Sequence, residues 1–196
     1  MGVRWAVLVG GTGSNLEALI QKGISVELVV SHKRQVRALE IARRHHIWHE
    51  TLLPASYADR DAYGQALRRL LDGAKIDAIA LAGFMRWLDP LTVETYRNRI
   101  FNIHPSLLPA FSGLNAVAQA LAYGVGWTGV TVHLVDEGED SGPIVAQEPV
   151  KVQPGDTEAS LAERIHRVEH RLYGEVLQAF EHERFAVNGR RVVWLS

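Results

Sequence analysis

The feature that most narrows the folds open to this chain is a succession of short, unbroken apolar runs, each followed by a stretch of helical period. Trp5 to Val9 leads to Leu16 to Ile20, and Val26 to Val30 leads to Val36 to Arg44. The pattern continues with a helix around Tyr63 to Leu71, an apolar run from Ile76 to Leu81, a helix after Asp89-Pro90 and a strand from Arg99 to Ile103. A strand with one wet face would alternate apolar and polar residues. These runs do not alternate, so helices must cover both faces of a mostly parallel sheet.

After Gly129 the pattern changes. Val130 to Val135 and Ile144 to Val152 read as long strands joined by a loop rich in Gly, Asp and Glu, with no helical period between them, which predicts an antiparallel addition. Asp156 stands where it can cap a long helix whose apolar positions Leu161, Ile165, Val168, Leu172, Val176 and Phe180 recur every three or four residues. Asn188-Gly189, inside Phe185 to Leu195, signals a tight hairpin. The expected fold is α/β and single-domain: a mostly parallel twisted sheet flanked by helices, with antiparallel additions in its C-terminal part.

Composition removes several function classes. With 196 residues, 47% hydrophobic, the chain can bury one sizeable core, and a net charge of -1 gives no overall field to attract nucleic acid. The absence of cysteine excludes disulfides, thiolate zinc sites and cysteine nucleophiles. No apolar stretch approaches the ~20 residues of a membrane span. The start of the sequence lacks the pattern of a signal peptide, so a cytoplasmic location is expected.

Gly10-Gly11-Thr12-Gly13-Ser14-Asn15 falls between the first strand and the first helix, where glycines let the backbone approach a ligand and free amides face an anion. A dinucleotide fingerprint fits poorly. Leu16 stands where its third glycine belongs, and Val30-Ser31-His32 lacks the acidic residue that would hold a ribose. A nucleotide P-loop would need Gly-Lys-Ser/Thr, which does not follow. A single small phosphate suits the loop, as does a plain tight turn with Ser14 as a helix cap.

Asn102-Ile103-His104-Pro105 ends a buried strand, the place where open α/β sheets bind ligands. Asn102 and His104 share one face of that strand, so a carboxamide donor and an imidazole can address one atom, as addition to a carbonyl requires. The same pair could equally be a hydrogen-bonded core pair. Asp140, before Ser141-Gly142-Pro143, would support a protonated His104 if the loop brought it close, and is otherwise ordinary turn chemistry. His166 and His170, four apart on a helix, have zinc-ligand spacing without an evident third ligand and read as flanks of the buried stripe. His45, His46 and His49 read as surface or strand-edge residues, and Trp87 and His133 as core.

Four segments, Gly-Thr-Gly-Ser-Asn-Leu at 11–16, Ala-Gly-Phe-Met-Arg at 82–86, Asn-Ile-His-Pro-Ser-Leu-Leu-Pro at 102–109 and Asp-Ser-Gly-Pro-Ile at 140–144, together resemble in order and spacing the glycinamide ribonucleotide transformylases (phosphoribosylglycinamide formyltransferases). The second and third recur in methionyl-tRNA formyltransferases and formyltetrahydrofolate hydrolases and mark the wider folate-dependent superfamily. The first narrows it.

The resemblance implies a Rossmann-like formyltransferase fold filling residues 1–196, with a phosphate-binding half at about 1–100 and a folate and catalytic half at about 101–196. It implies formyl transfer from the co-substrate 10-formyltetrahydrofolate to the amine of glycinamide ribonucleotide, by direct attack, without a metal, a nucleic acid or a membrane, in a monomer or homodimer. Carried over residue by residue, Asn102, His104 and Asp140 would be catalytic, Gly13, Ser14 and Asn15 would hold the phosphate, and Glu169 would contact the glycinamide end. Arg60, Met85, Arg86, Trp87, Leu88, Asn102 and the loop Asp136, Glu137, Gly138, Glu139 and Asp140 would form the folate side.

The departures cluster after the histidine. Relatives carry Lys-Tyr/Phe-Pro-Gly followed by histidines, against Ala110-Phe111-Ser112-Gly113 and Asn115-Ala116-Val117 here, while Gly174 replaces a common proline and Val168 a polar residue. The competing readings are another formyltransferase or hydrolase, which would need a further domain, and a binding protein that has kept the fold without the chemistry.

Overall fold

The computed structural model describes residues 2–195. Contacts divide the chain into two compact units, the first ending at Phe101 and the second beginning at Asn102.

The first unit runs β1 (Trp5–Val9), α1 (Ser14–Gln21), β2 (Val26–Ser31), α2 (Arg37–Arg44), β3 (Trp48–Thr51), a short 3-10 turn (Pro54–Ser56), α3 (Arg60–Gly73), β4 (Ala78–Ala82) and α4 (Pro90–Thr95). β5 (Ile100–His104) begins in this unit and ends in the next. The second continues with α5 (Ala116–Tyr123), β6 (Trp127–Leu134), β7 (Ile144–Lys151), α6 (Glu158–Glu181), β8 (Phe185–Asn188) and β9 (Arg191–Trp194).

Seven strands form one mostly parallel sheet in the order β3-β2-β1-β4-β5-β6-β7, as the unbroken apolar runs require. β1 pairs parallel with both β2 and β4, and every residue of β1 and β4 is buried. Strand order reverses between β1 and β4, so the turns leaving their C-terminal ends, after Val9 and after Ala82, flank the switch point where such sheets receive ligands. β7 runs antiparallel to β6 as expected, with Pro149 opposite Gly129. β8 and β9 form the hairpin that Asn188-Gly189 signalled, and the Trp194 indole of β9 donates to the Val145 carbonyl of β7.

Two caps differ from the sequence reading. Asp156 does not cap α6. Thr157 does, accepting from the Ser160 amide while the Ser160 hydroxyl accepts from the Thr157 amide, a reciprocal box that satisfies two otherwise orphaned donors. Asp156 instead accepts from the Gln153 amide and pairs with Arg164, whose guanidinium holds its carboxyl far below the usual carboxylate range. Ser14 is not a cap either: it is the first helical residue of α1, and Gly13 caps it in the left-handed region at φ 78. A side chain at Gly13 would also meet the Ala38 backbone of α2 at 2.7 Å, so the position is closed to other residues on two counts.

Tyr63, buried on α3, has a hydroxyl with no hydrogen-bond partner among the described residues. Burial pushes its pKa up to about 12, against the pull of nearby Arg86. The fold favours the protonated phenol, so that contribution is fully present below the ordinary value of 10.0 and is lost as pH rises through about 12. Tyr63→Phe should keep stability near neutral pH within about 1 kcal/mol of the parent. It should also flatten the alkaline fall in the denaturation midpoint, and equally steep falls in both proteins would refute the assignment.

Candidate active site

β5 delivers Asn102 and His104 to the start of the second unit, two residues apart and therefore on one face of the strand. Pro105 follows and ends the strand. The third residue comes from the loop between β6 and β7. There the Asp136 carboxylate accepts from the Gly138 amide at 3.0 Å and the Ser141 hydroxyl at 2.6 Å, winding residues 136–141 into a compact turn. Gly142 closes that turn against the Leu134 carbonyl so tightly that a Cβ would lie 1.8 Å from the oxygen. Asp140 is held at φ 48, an uncommon conformation for a residue with a side chain.

The result is a contact that sequence spacing could not establish. His104 Nδ1 lies 3.2 Å from Asp140 Oδ2, both groups nearly enclosed by protein. His104 Nε2 lies 2.8 Å from the Phe111 carbonyl, which can only accept, so this nitrogen carries a hydrogen. A hydrogen on each ring nitrogen satisfies the carbonyl and the carboxylate together. The Gly113 amide donates to Asp140 Oδ2 at 2.8 Å, and the Asn102 amide nitrogen lies 3.4 Å from Asp140 Oδ1. Burial pushes the Asp140 carboxyl up, but the Gly113 amide that donates to it and the neighbouring His104 ring outweigh burial and hold the group below the usual carboxylate range.

Sequence reasoning missed several members of this cluster. His133, read as core, is buried, but its Nε2 lies 3.0 Å from Asn102 Nδ2 and its Nδ1 2.9 Å from the Leu134 carbonyl. The Thr131 hydroxyl donates to the Ser106 carbonyl at 2.7 Å and accepts from the Leu108 amide at 3.1 Å and the Gln147 amide group at 2.9 Å. Gln147 also donates to the Leu108 carbonyl at 2.9 Å. These bonds fasten the segment that carries the Phe111 carbonyl back to His104. The available signal was polar side chains two apart, Thr131 and His133, within a strand buried almost throughout, since interiors keep polar groups only where they are bonded.

In the first unit, Gly13 precedes Ser14 and Asn15, whose amides open α1, and the Gly11 carbonyl accepts from the Ala38 amide of α2. Met85, Arg86 and Trp87 are exposed, whereas Leu88 beside them is buried. Trp87 is therefore not core; at 52% exposure it presents its ring to the outside, with the Arg60 guanidinium 6.0 Å from the ring centre. Arg60 also donates to the Leu88 carbonyl. The exposed run is anchored on both sides, by Phe84 packed edge-on to His32 and by Asp89, which accepts from Arg68 and from the Thr92 amide and hydroxyl.

Glu169 lies on the buried face of α6 in the second unit, and Glu139 packs beside Gly113. His166 and His170 stack 6.3 Å apart on α6, and among the described residues no group of three His, Cys, Asp or Glu is placed to hold a metal ion. No described helix is long and apolar enough to cross a membrane.

Comparison with known proteins places this geometry in a family. The formyl transferase profile matches residues 3–177. The phosphoribosylglycinamide formyltransferase of Bacillus subtilis (strain 168) is 40% identical over 181 residues, spanning 89% of this chain and 93% of that protein. The Homo sapiens trifunctional purine biosynthetic protein adenosine-3 is 42% identical over 89% of this chain, which corresponds to 18% of that much longer protein. The crystal structure of glycinamide ribonucleotide transformylase 1 from Symbiobacterium toebii superposes with a TM-score of 0.97 at 41% identity, covering 100% of this chain and 95% of that one. On the profile match, the coverage and the shared fold, the chain belongs to the formyl transferase family, among its phosphoribosylglycinamide formyltransferases.

Proposed function

We propose that the protein transfers the formyl group of 10-formyltetrahydrofolate to the amine of glycinamide ribonucleotide, giving formylglycinamide ribonucleotide and tetrahydrofolate, in the cytoplasm as a step of purine synthesis. The observation that carries this reading is the bonded cluster of Asn102, His104 and Asp140, an amide donor beside an imidazole that rests on a depressed carboxylate.

In this reaction the amine lone pair attacks the formyl carbon and the carbonyl π electrons move to oxygen. The Asn102 amide donates to that oxyanion. His104, exchanging its bond to the Phe111 carbonyl for the reacting atoms, gives a proton to the departing folate nitrogen and recovers one from the attacking amine. The C–N bond to the folate breaks, no covalent enzyme intermediate forms, and Asp140 keeps the imidazole in place.

Within one formyltransferase domain, the half up to about residue 100 carries the phosphate-binding loop and the half from about 101 carries the chemistry. Gly13, Ser14 and Asn15 hold the ribonucleotide phosphate on the amides opening α1, supported by the closed Gly13 turn. Glu169 receives the glycinamide end. Met85, Arg86, Trp87, Leu88 and Arg60 serve the folate, supported by the exposure of the first three, as do Asp136, Glu137, Gly138, Glu139 and Asp140.

The deciding experiment follows tetrahydrofolate release from 10-formyltetrahydrofolate with and without glycinamide ribonucleotide. Release that needs the ribonucleotide is expected. Release without it would make the protein a hydrolase, and no release in either case would overturn the proposal.

A further inference from the structure

Resting on the reading of Asn102 as the oxyanion donor, we infer that His133 is a positioning residue that fixes which end of the Asn102 carboxamide is presented to the reaction. The argument begins with a tautomer. His133 Nδ1 lies 2.9 Å from the carbonyl of its neighbour Leu134, and a carbonyl only accepts, so Nδ1 carries the hydrogen. In the neutral ring Nε2 then has a lone pair and must act as an acceptor. The separation of 3.6 Å between Nε2 and Asp140 Oδ1 is too long for a direct hydrogen bond. The group within reach of Nε2 is the Asn102 amide, at 3.0 Å.

A carboxamide can turn over, exchanging its donor and acceptor ends with almost no change of shape, so its orientation is set by its surroundings. Here the inner end faces two acceptors, His133 Nε2 and, at 3.4 Å, Asp140 Oδ1. The amide nitrogen satisfies both, whereas an oxygen there would oppose a lone pair and a carboxylate. The carboxylate alone is distant; the shorter contact to His133 does most to hold the nitrogen beside the His104–Asp140 pair. As charge develops on the formyl oxygen, one of the two amide N–H groups, keeping its hydrogen, redirects its hydrogen bond from the weaker, neutral acceptor His133 to that oxygen. The donor is thus already in place before the reaction, and its bond to the substrate is realised only in the transition state.

A double-mutant cycle on kcat tests this, using His133→Leu, His133→Gln, Asn102→Ala and the two combinations, with both substrates saturating and folding checked by thermal melting. His133→Leu, which keeps the volume but removes the acceptor, should lower kcat on the order of tenfold with little change in either KM. That loss lies below the ~10²-fold that removing the donor itself brings. His133→Gln, whose side-chain oxygen can accept, should recover part of it. In the Asn102→Ala background both His133 substitutions should have no further effect, because no carboxamide remains to orient. An equal loss in both backgrounds would mean that His133 supports the site only structurally, and an unchanged kcat in His133→Leu would refute the inference outright. Should the leucine variant fail to fold, the glutamine variant in both backgrounds gives the same comparison. Near-normal kcat in Asn102→Ala alone would overturn the oxyanion reading instead, so the two failures are distinguishable.

Discussion

His104→Ala is expected to lower kcat for formyl transfer by about 10²- to 10⁴-fold while leaving both KM values within a few-fold. In the proposed reaction the substitution removes the group that moves the proton between the two nitrogens. It leaves untouched the Gly13 turn that opens α1 in the first unit and the exposed Met85, Arg86 and Trp87 run. It also leaves Asp140 accepting from the Gly113 amide, so the loop after β6 retains a bond that holds its shape. Asp140→Asn should show the same signature at smaller amplitude, since His104 keeps its bond to the Phe111 carbonyl but loses the carboxylate that steadies it. Steady-state kinetics on purified variants separates the possibilities. A fall in kcat/KM caused mainly by KM would mean that His104 binds substrate rather than moving protons.

The second large effect concerns stability. Asp89→Ala should destabilise the protein by about 3–5 kcal/mol, the usual consequence of leaving one partner of a buried ion pair uncompensated. Asp89 is almost wholly enclosed, ion-paired with Arg68, and caps α4 through the Thr92 amide. Its pKa shows the balance of forces: burial pushes the carboxyl up, but bonds from Thr92 and Arg68 outweigh burial and hold it low. For a chain of this length the loss corresponds to a fall in Tm of about 6–20 °C. Because Asp89 anchors one end of the run from Met85 to Leu88, KM for the folate should rise at temperatures where the variant remains folded. Thermal melting together with folate titration checks both, and a Tm within about 2 °C of the parent, equivalent to roughly 0.5–1 kcal/mol, would show that the pair is dispensable.

The sheet was legible in the sequence because its central strands are covered on both faces and therefore read as unbroken apolar runs. β3 was not, because its residues alternate between exposed and half-buried and it stands at one end of the strand order. The alanine-rich α5 likewise has little apolar periodicity to betray it. The capping of α6 was misplaced by one residue because Asp156 and Thr157 are both competent caps, and Arg164, two turns further along, decides between them by engaging the aspartate.

At the site, Asn102 and His104 could be paired from strand geometry alone. Their meeting with Asp140 depends on a turn whose shape is set by Gly142 against the Leu134 carbonyl and by Asp140 itself at positive φ, neither of which leaves a periodic trace. His133 was hidden for the opposite reason. A buried strand absorbs a histidine into its apolar pattern, and only the hydrogen-bond partners distinguish packing from placement.

The treatment of β7 bears on how the protein behaves when concentrated. An outer strand offers its unpaired backbone groups to any other extended chain, and this is a common route to edge-to-edge aggregation. Here β7, one of the two end strands, contains Pro149, which has no N–H to offer a neighbour, with charged Glu148 and Lys151 close by, and its Val145 carbonyl is already taken by the Trp194 indole. An edge defended in this way resists recruiting a further strand, so in a concentrated solution β7 should not be the end from which a growing fibril extends.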